Sequence, residues 1–275
     1  MASTSMSVRS PASFPFPTAA GARGRAGSAQ PVGPKPLSSP LPPAATPAVP
    51  RRLLFPVAAG IWDFLSGGGA GGAAAASLVV RRGMQLFRQG DVAGSVAEFD
   101  RAIELDQRQK QYLWQRGLSL YYMDRFEEGA EQFRLDVAAN PNDTEESIWC
   151  FLCEAQLYGV DEARKRFFQV GLDSRSVMRE AYALFKDGGD PEKLASNFSS
   201  GSEGEIFYSS LYIGLYYESQ NIELLLLPFC TEQKNAELAK SHIVAACRSP
   251  YGSRSGDYMA SLALVHCQCR NWTLE

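Results

Sequence analysis

The first 62 residues of this 275-residue chain contain no acidic side chain; Asp63 is the earliest of 30 carboxylates. Histidine is nearly absent, with only His242 and His266, and no cysteine precedes Cys150. Neither histidine has an HxxxH or HExxH partner, which removes the common metallohydrolase patterns. The glycine-rich run GGGAGG lacks the following Lys-Ser/Thr of a phosphate-cradling loop. No apolar run approaches the roughly 20 residues a membrane-spanning helix needs, so no integral membrane span is expected. From residue 77 onward nothing alternates like a strand.

What is present is unevenly distributed. Twelve of the 16 prolines lie in the first 56 residues, alongside six basic residues: Arg9, Arg23, Arg25, Lys35, Arg51 and Arg52. The rest of the chain holds 21 basic against 30 acidic residues, a net charge of −9. An acidic body argues against nucleic acid as a partner, because phosphate binding needs a concentrated Lys/Arg face.

An acid-free, Ser-rich, Arg-containing N-terminus has the composition of an organelle transit peptide, and MASTSMSVRSPASF matches chloroplast transit peptides better than the amphipathic mitochondrial kind. Residues 1–50 are therefore expected to be disordered chloroplast-targeting sequence. A plain Pro-rich tail is the alternative. Residues 51–76 are expected to be a Gly/Ala-rich linker or a second targeting segment. Arg51-Arg52, the apolar stretch from Leu53 to Leu65 and the small residues Ala73–Ala76 follow the order of a thylakoid-lumen transfer signal, although Asp63 and Pro56 interrupt it. The expected location is the chloroplast: stroma, thylakoid-associated, or lumen.

The expected domain, residues 77–275, opens with self-similar units. SLVVRRGMQLFRQGDVAGSVAEFDRAIELDQ begins at Ser77, and QYLWQRGLSLYYMDRFEEGAEQFRLDVAANP follows. Gly83 and Gly117 are 34 residues apart, as are Phe99 and Phe133, and Gln107 and Pro141 keep that register. This period and pattern resemble the tetratricopeptide repeat. The resemblance makes Gly83 and Gly117 the small residues where two helices touch, Phe99 and Phe133 the buried aromatics of the second helices, Ala102 the small residue behind, and Pro141 the stop. Ser95 and Gly129 replace the usual first alanine, and Asp136 replaces the second, weakening packing locally. In a third unit Ala163 and Phe167 hold the register, but Phe151 stands where the contact glycine belongs, so that pair must splay or shift.

Further helices are expected around Val177–Phe185, Pro191–Asn197, Glu205–Ser219, Ala236–Cys247 and Gly256–Trp272, with Gly188-Gly189-Asp190-Pro191 as a turn and helix start. The fold class is thus all-α, a solenoid of helical hairpins with about three clear units and divergent pairs behind them. Residues 222–235 fit poorly: deleting them leaves a normal short turn, which points to an insertion, with a variant loop around a buried Leu cluster as the alternative.

Arg116-Gly117, Leu120-Tyr121-Tyr122, Asn140-Pro141-Asn142-Asp143, Ser147, Trp149, Leu152, Glu154, Leu157 and the later Phe207–Glu218 resemble the family of the bacterial lipoprotein NlpI and its chloroplast relatives in plants. The resemblance implies an all-helical adaptor, often dimeric, that docks proteases and wall hydrolases. The bacterial lipid anchor is not carried over, since the first cysteine is Cys150.

In the repeat register the concave candidates for a partner-binding groove are Val80, Met84, Phe87, Trp114, Tyr121 and Tyr122; core filling is the competing role for each. The repeat class that clamps chaperone tails needs Lys, Asn and Arg where Val80, Met84, Gln111 and Gln115 stand, so that ligand is not expected. Asp143, Glu145 and Glu146 read as helix-capping acids. Cys150 and Cys153 form CxxC on one helix face, read as structural thiols, with redox or metal chemistry as the alternative. The expected function is a non-catalytic scaffold or adaptor for protein or peptide partners, a second copy of the chain among them, with no cofactor and no metal.

Overall fold

The structure is a computed structural model that describes residues 70–220 and 230–274. Within them the protein is all-α, with no strand. The expected leader, residues 1–50, lies outside the described residues. The expected linker, residues 51–76, lies outside them up to residue 69; from there it is helical. The first helix, α1, spans Ala70–Arg88 and takes in the run Ala73–Ala76. Alanine is the best helix former, and Ala76 is fully buried, so this part of the Gly/Ala segment belongs to the domain.

Helix α2 (Val92–Leu105) follows a tight turn at Gly90, whose φ of +83° suits glycine. Asp91 caps α2, its Oδ1 accepting from the Gly94 amide at 2.8 Å. A 3-10 turn, Gln107–Tyr112, leads into α3 (Trp114–Tyr122) and α4 (Phe126–Ala139). In both hairpins the glycine meets the aromatic of the partner helix. A Cβ on Gly83 would lie 2.8 Å from Phe99 Cε1, and one on Gly117 would lie 2.7 Å from Phe133 Cζ. Phe99, Phe133 and Ala102 are buried as the repeat register requires, and exposed Pro141 lies in the turn after α4. Arg116 ties the two hairpins together, donating to Asp100 Oδ1 at 2.6 Å and to Gln132 Oε1 at 3.4 Å.

The third pair departs from the pattern. Helix α5 (Thr144–Tyr158) is buried along most of its length, but its partner α6 (Val160–Lys165) stops after six residues. Ala163 is buried in α6 as expected. Phe167, expected inside a second helix, lies beyond its end and turns in to meet Phe151 at 5.6 Å between ring centroids. A phenylalanine in the glycine position leaves no room for a full second helix against it. The chain after α6 is held instead by Ser147 Oγ donating to the Phe168 carbonyl at 2.7 Å and by the Gly171 amide donating to the Pro141 carbonyl at 2.8 Å.

Helices α7 (Ser176–Asp187), α8 (Pro191–Phe198) and α9 (Glu203–Gln220) follow. The Gly188-Gly189 turn has φ of +78° and +134°, and Asp190 caps α8 through the Glu192 amide at 3.0 Å. Helix α10 (Cys230–Arg248) packs on α9 at Gly214, where a Cβ would come 2.6 Å from Ile243 Cγ1. Of the suspected insertion, 222–229 lies outside the described residues, and Cys230–Asn235 form the start of α10. The short α11 (Pro250–Arg254) turns the chain into α12 (Tyr258–Cys269), which packs against α10 on one side and α1 on the other. No described helix is long and apolar enough to cross a membrane.

Candidate functional site

The residues expected to face a partner lie on α1 and α3, and Tyr258 and His266 of α12 lie against them. Phe87 is fully buried and stacks on Tyr258 with centroids 5.2 Å apart and planes at 16°. Trp114 meets the edge of Tyr258 at 5.3 Å, and the Arg88 guanidinium lies over the same ring at 5.4 Å. Tyr122 shares a hydrogen bond with His266 Nδ1 at 3.0 Å. Tyr121 is 2% exposed, wedged between Tyr122, Phe126 and Trp149. Of the six groove residues, then, Phe87 and Tyr121 are core, which corrects their expected availability to a partner. Val80, Met84, Trp114 and Tyr122 stay half-buried at the rim. For Phe87 the physical reason is that Tyr258 of α12 supplies the apolar surface a peptide was expected to supply; Tyr121 is covered by rings of α3, α4 and α5.

His266, which carried no motif in the sequence, is an anchor of this closure. Its Nε2 lies 3.4 Å from Glu218, and Arg270 donates to Glu218 at 2.5 Å. Burial pushes the His266 imidazole below its usual range, against the opposing pull of Glu218. His242 sits near the surface with Nε2 3.1 Å from Glu192.

Cys150 and Cys153 are both buried. Burial pushes the Cys150 thiol up to about 12 and the Cys153 thiol well above its normal value, away from the thiolate that redox exchange uses. Cys153 instead fills the space over Gly129, where a Cβ would lie 2.9 Å from its Sγ. The sequence did not reveal a second pair, Cys247 and Cys267, whose sulfurs are 3.9 Å apart between α10 and α12. Among the described residues no group of three or more His, Cys, Asp or Glu side chains is placed to hold a metal ion.

One opening survives beside Trp114. A cavity of about 110 Å³ lies between α3, α4, the start of α5 and α12, lined by Trp114, Leu118, Phe133, Asp143, Glu145, Glu146, Trp149 and Met259. Trp149 stacks on Phe133 at 6.4 Å and forms its apolar side. Asp143 is the capping acid the sequence suggested, accepting from the Glu145 amide at 3.1 Å. Glu145 accepts from the Tyr212 hydroxyl at 3.1 Å and faces Arg175 at 3.5 Å. Burial pushes the Glu145 carboxyl up to about 7 despite that guanidinium. Glu146 is 7% exposed, and burial together with the Asp143 carboxylate holds its carboxyl well above the usual range.

Compared with protein-family models and with curated proteins, the chain gives no match.

Proposed function

We propose that the chain is a non-catalytic scaffold or adaptor of tetratricopeptide type that binds a protein partner on the face carrying Trp114. The observation that supports this is the repeated glycine-on-phenylalanine contact, Gly83 with Phe99 and Gly117 with Phe133, at the same 34-residue spacing. In repeats of this type the first helices of successive units, here α1 and α3, share one face, and Phe87 of α1 meets Tyr122 of α3 at 6.1 Å between ring centroids. The half-buried rim residues Val80, Met84, Trp114 and Tyr122 are the part of that face a partner reaches. Large rings with polar tips suit such recognition because they bury much area at low entropic cost. The arrangement of α12 adds a condition: a partner wider than the cavity must displace it or engage the rim alone.

The working location is the chloroplast, on the composition of the leader, and the resemblance to NlpI relatives favours a protease or an assembling complex as the partner. Two measurements test the reading. Crosslinking in intact plastids, compared between wild type and Trp114→Ala, should lose the specific adducts in the variant. Adducts that persist unchanged, with the variant folded by circular dichroism, reject the groove. Import of the precursor into isolated chloroplasts should give a shorter, protease-protected product, and its absence rejects the address.

A further inference from the structure

Two thiols from different helices meet at one point of the domain. Cys247 lies in the last turn of α10 and Cys267 in the last turn of α12. Both are buried, and their sulfurs are 3.9 Å apart, close enough for one thiol to donate to the other. The chain around them holds the two helix ends together. After α12 it turns through Asn271, at φ +54°, and the Trp272 amide donates to the Cys267 carbonyl at 2.8 Å. It then runs back to α10, where the Arg248 guanidinium donates to the Leu274 carbonyl at 2.6 and 3.1 Å. Cys267 is the first of these tie points and Cys247 is the neighbour of the second. The C-terminal strap therefore keeps the two sulfurs in register.

The two thiols are chemically unequal. The hydrogen bond between them, then burial, pushes the Cys247 thiol up. The same hydrogen bond, with the Lys240 charge adding to it, holds the Cys267 thiol below its ordinary value against burial. The thiolate is the nucleophile, so Cys267 is the attacking sulfur and Cys247 the neighbour that can capture its product. The Cys150-Cys153 motif has no such division: burial pushes both thiols up, and Cys150 is directed to the Ala130 carbonyl at 3.7 Å. A disulfide is about 2.05 Å long, so the sulfurs of Cys247 and Cys267 must approach by about 1.9 Å. Each sulfur pivots about its own Cα–Cβ bond, and terminal helix turns open more easily than helix interiors. The same local opening at the exposed strap residue Leu274 admits a small oxidant.

We propose that Cys247 and Cys267 are a reversible redox pair, oxidised by peroxide to a disulfide that staples the end of α12 to α10. The Cys267 thiolate attacks one oxygen of hydrogen peroxide. The O–O bond breaks, and the departing hydroxide takes up the proton the thiol released and leaves as water. Cys267 is then a sulfenic acid. The Cys247 sulfur attacks the Cys267 sulfur; the S–S bond forms, the S–O bond breaks, and hydroxide leaves with the Cys247 proton as a second water. Two thiols and one peroxide thus give one disulfide and two waters, with two electrons passing to the peroxide. A dithiol reverses the reaction by exchange and is itself oxidised to a disulfide. The bond fixes the helix whose Tyr258 and His266 lie against Phe87 and Tyr122. The inference goes beyond the adaptor reading and stands or falls without it.

The test exposes the reduced full-length protein to hydrogen peroxide, alkylates remaining thiols under denaturing conditions and maps the tryptic peptides. Residues 241–248 carry Cys247, and residues 255–270 carry Cys267 together with Cys269. A parallel Cys269→Ser protein removes that ambiguity. In both proteins the two peptides should be recovered joined, two hydrogens lighter than their sum, and should separate after dithiothreitol. The oxidised Cys269→Ser protein should melt about 5–10 °C above its reduced form, because the bond closes a loop of about 20 residues, and should return on reduction. In Cys247→Ser the sulfenic acid has no thiol to capture it, so dimedone should label Cys267 in that variant and not in wild type. Retention of both thiols when peroxide has already oxidised Cys269 overturns the inference, as does a bond from either to a third cysteine. An unchanged melting temperature, or a folded Cys247→Ser protein without dimedone on Cys267, overturns it too. The peptide map decides the pairing even if Cys247→Ser is unstable.

Discussion

Replacing Gly117 with alanine tests whether the repeat contact holds the hairpin together. The new Cβ would lie 2.7 Å from Phe133 Cζ and 2.8 Å from Cε1, well inside ordinary carbon contact. The Phe133 ring cannot easily retreat, because it is 1% exposed and backed by Trp149 at 6.4 Å. Overpacking of a tight core costs about 1–3 kcal/mol. Removing a glycine from the interior of α3 returns about 1 kcal/mol of helix propensity. With the Cβ well inside ordinary contact against an enclosed ring, the upper part of that range, about 2–3 kcal/mol, applies; the net expectation is a loss of about 1–2 kcal/mol, which lowers the melting temperature by roughly 2–8 °C for a domain near 200 residues. Gly204→Ala is the control: it lies in α9, its Cβ would meet nothing nearer than Tyr251 Cε2 at 3.6 Å, and it should be neutral or slightly stabilising. Urea unfolding followed by circular dichroism measures all of these. Phe133→Leu makes room for the new methyl, so Gly117→Ala with Phe133→Leu should fall short of the summed losses by about 1 kcal/mol. A Gly117→Ala protein as stable as wild type, or strict additivity with Phe133→Leu, would refute the close-contact argument.

Other outcomes follow from the buried titrating groups and thiols. Burial raises Asp136 from 3.8 to about 7 in the folded state, so the folded protein holds an extra proton between those values. The stability tied to that proton is present below about pH 4 and lost as pH rises toward 7; Asp136→Asn should therefore add about 4 kcal/mol at pH 8 and almost nothing at pH 4. Equal effects at the two values in urea melts would show that Asp136 does not titrate in this way. Aromatic disulfide reagents should modify exposed Cys269 in native buffer but reach Cys150 and Cys153 only on unfolding; native labelling of that pair as fast as Cys269 would revive the redox reading. Tyr258→Ala removes the ring that stacks on Phe87 and meets Trp114, and should cost about 3–5 kcal/mol. Hydrogen exchange should show the loss of protection reaching α1, and an effect confined to α12 would contradict the contact.

The parts of the fold that were legible in the sequence are the ones made by near neighbours. Gly83 finds Phe99, and Gly117 finds Phe133, sixteen residues on, so a fixed spacing encodes the contact. The Gly188–Pro191 turn was legible because positive φ and a capping aspartate are written in residue types. The start of α1 was hidden by glycine content that suggested a linker, although Ala76 is buried. Truncation of α6 was foreshadowed by Phe151, but nothing local said which way the pair would yield. The filling of the groove was invisible, since Tyr258 and Phe87 are joined only by the path of the whole chain. The same holds for Glu146: its residue type fitted a helix start, and only the surrounding walls show that one oxygen is left over.

The seating of α12 against α1 alters how the domain can come apart. A row of hairpins that touch only their neighbours can fray from either end, one unit at a time. Here Arg88 donates to the Gly256 carbonyl across 168 residues of sequence, and Phe87 meets Tyr258 beside it. The first helix and the last hold each other, so neither end of the described domain is a free end. Closing that circuit requires contacts distant in sequence, which slows folding relative to an open row of the same helices. In exchange, partial opening from one end becomes a concerted event, and trimming the chain before residue 258 would strip the cover from the opposite end of the protein.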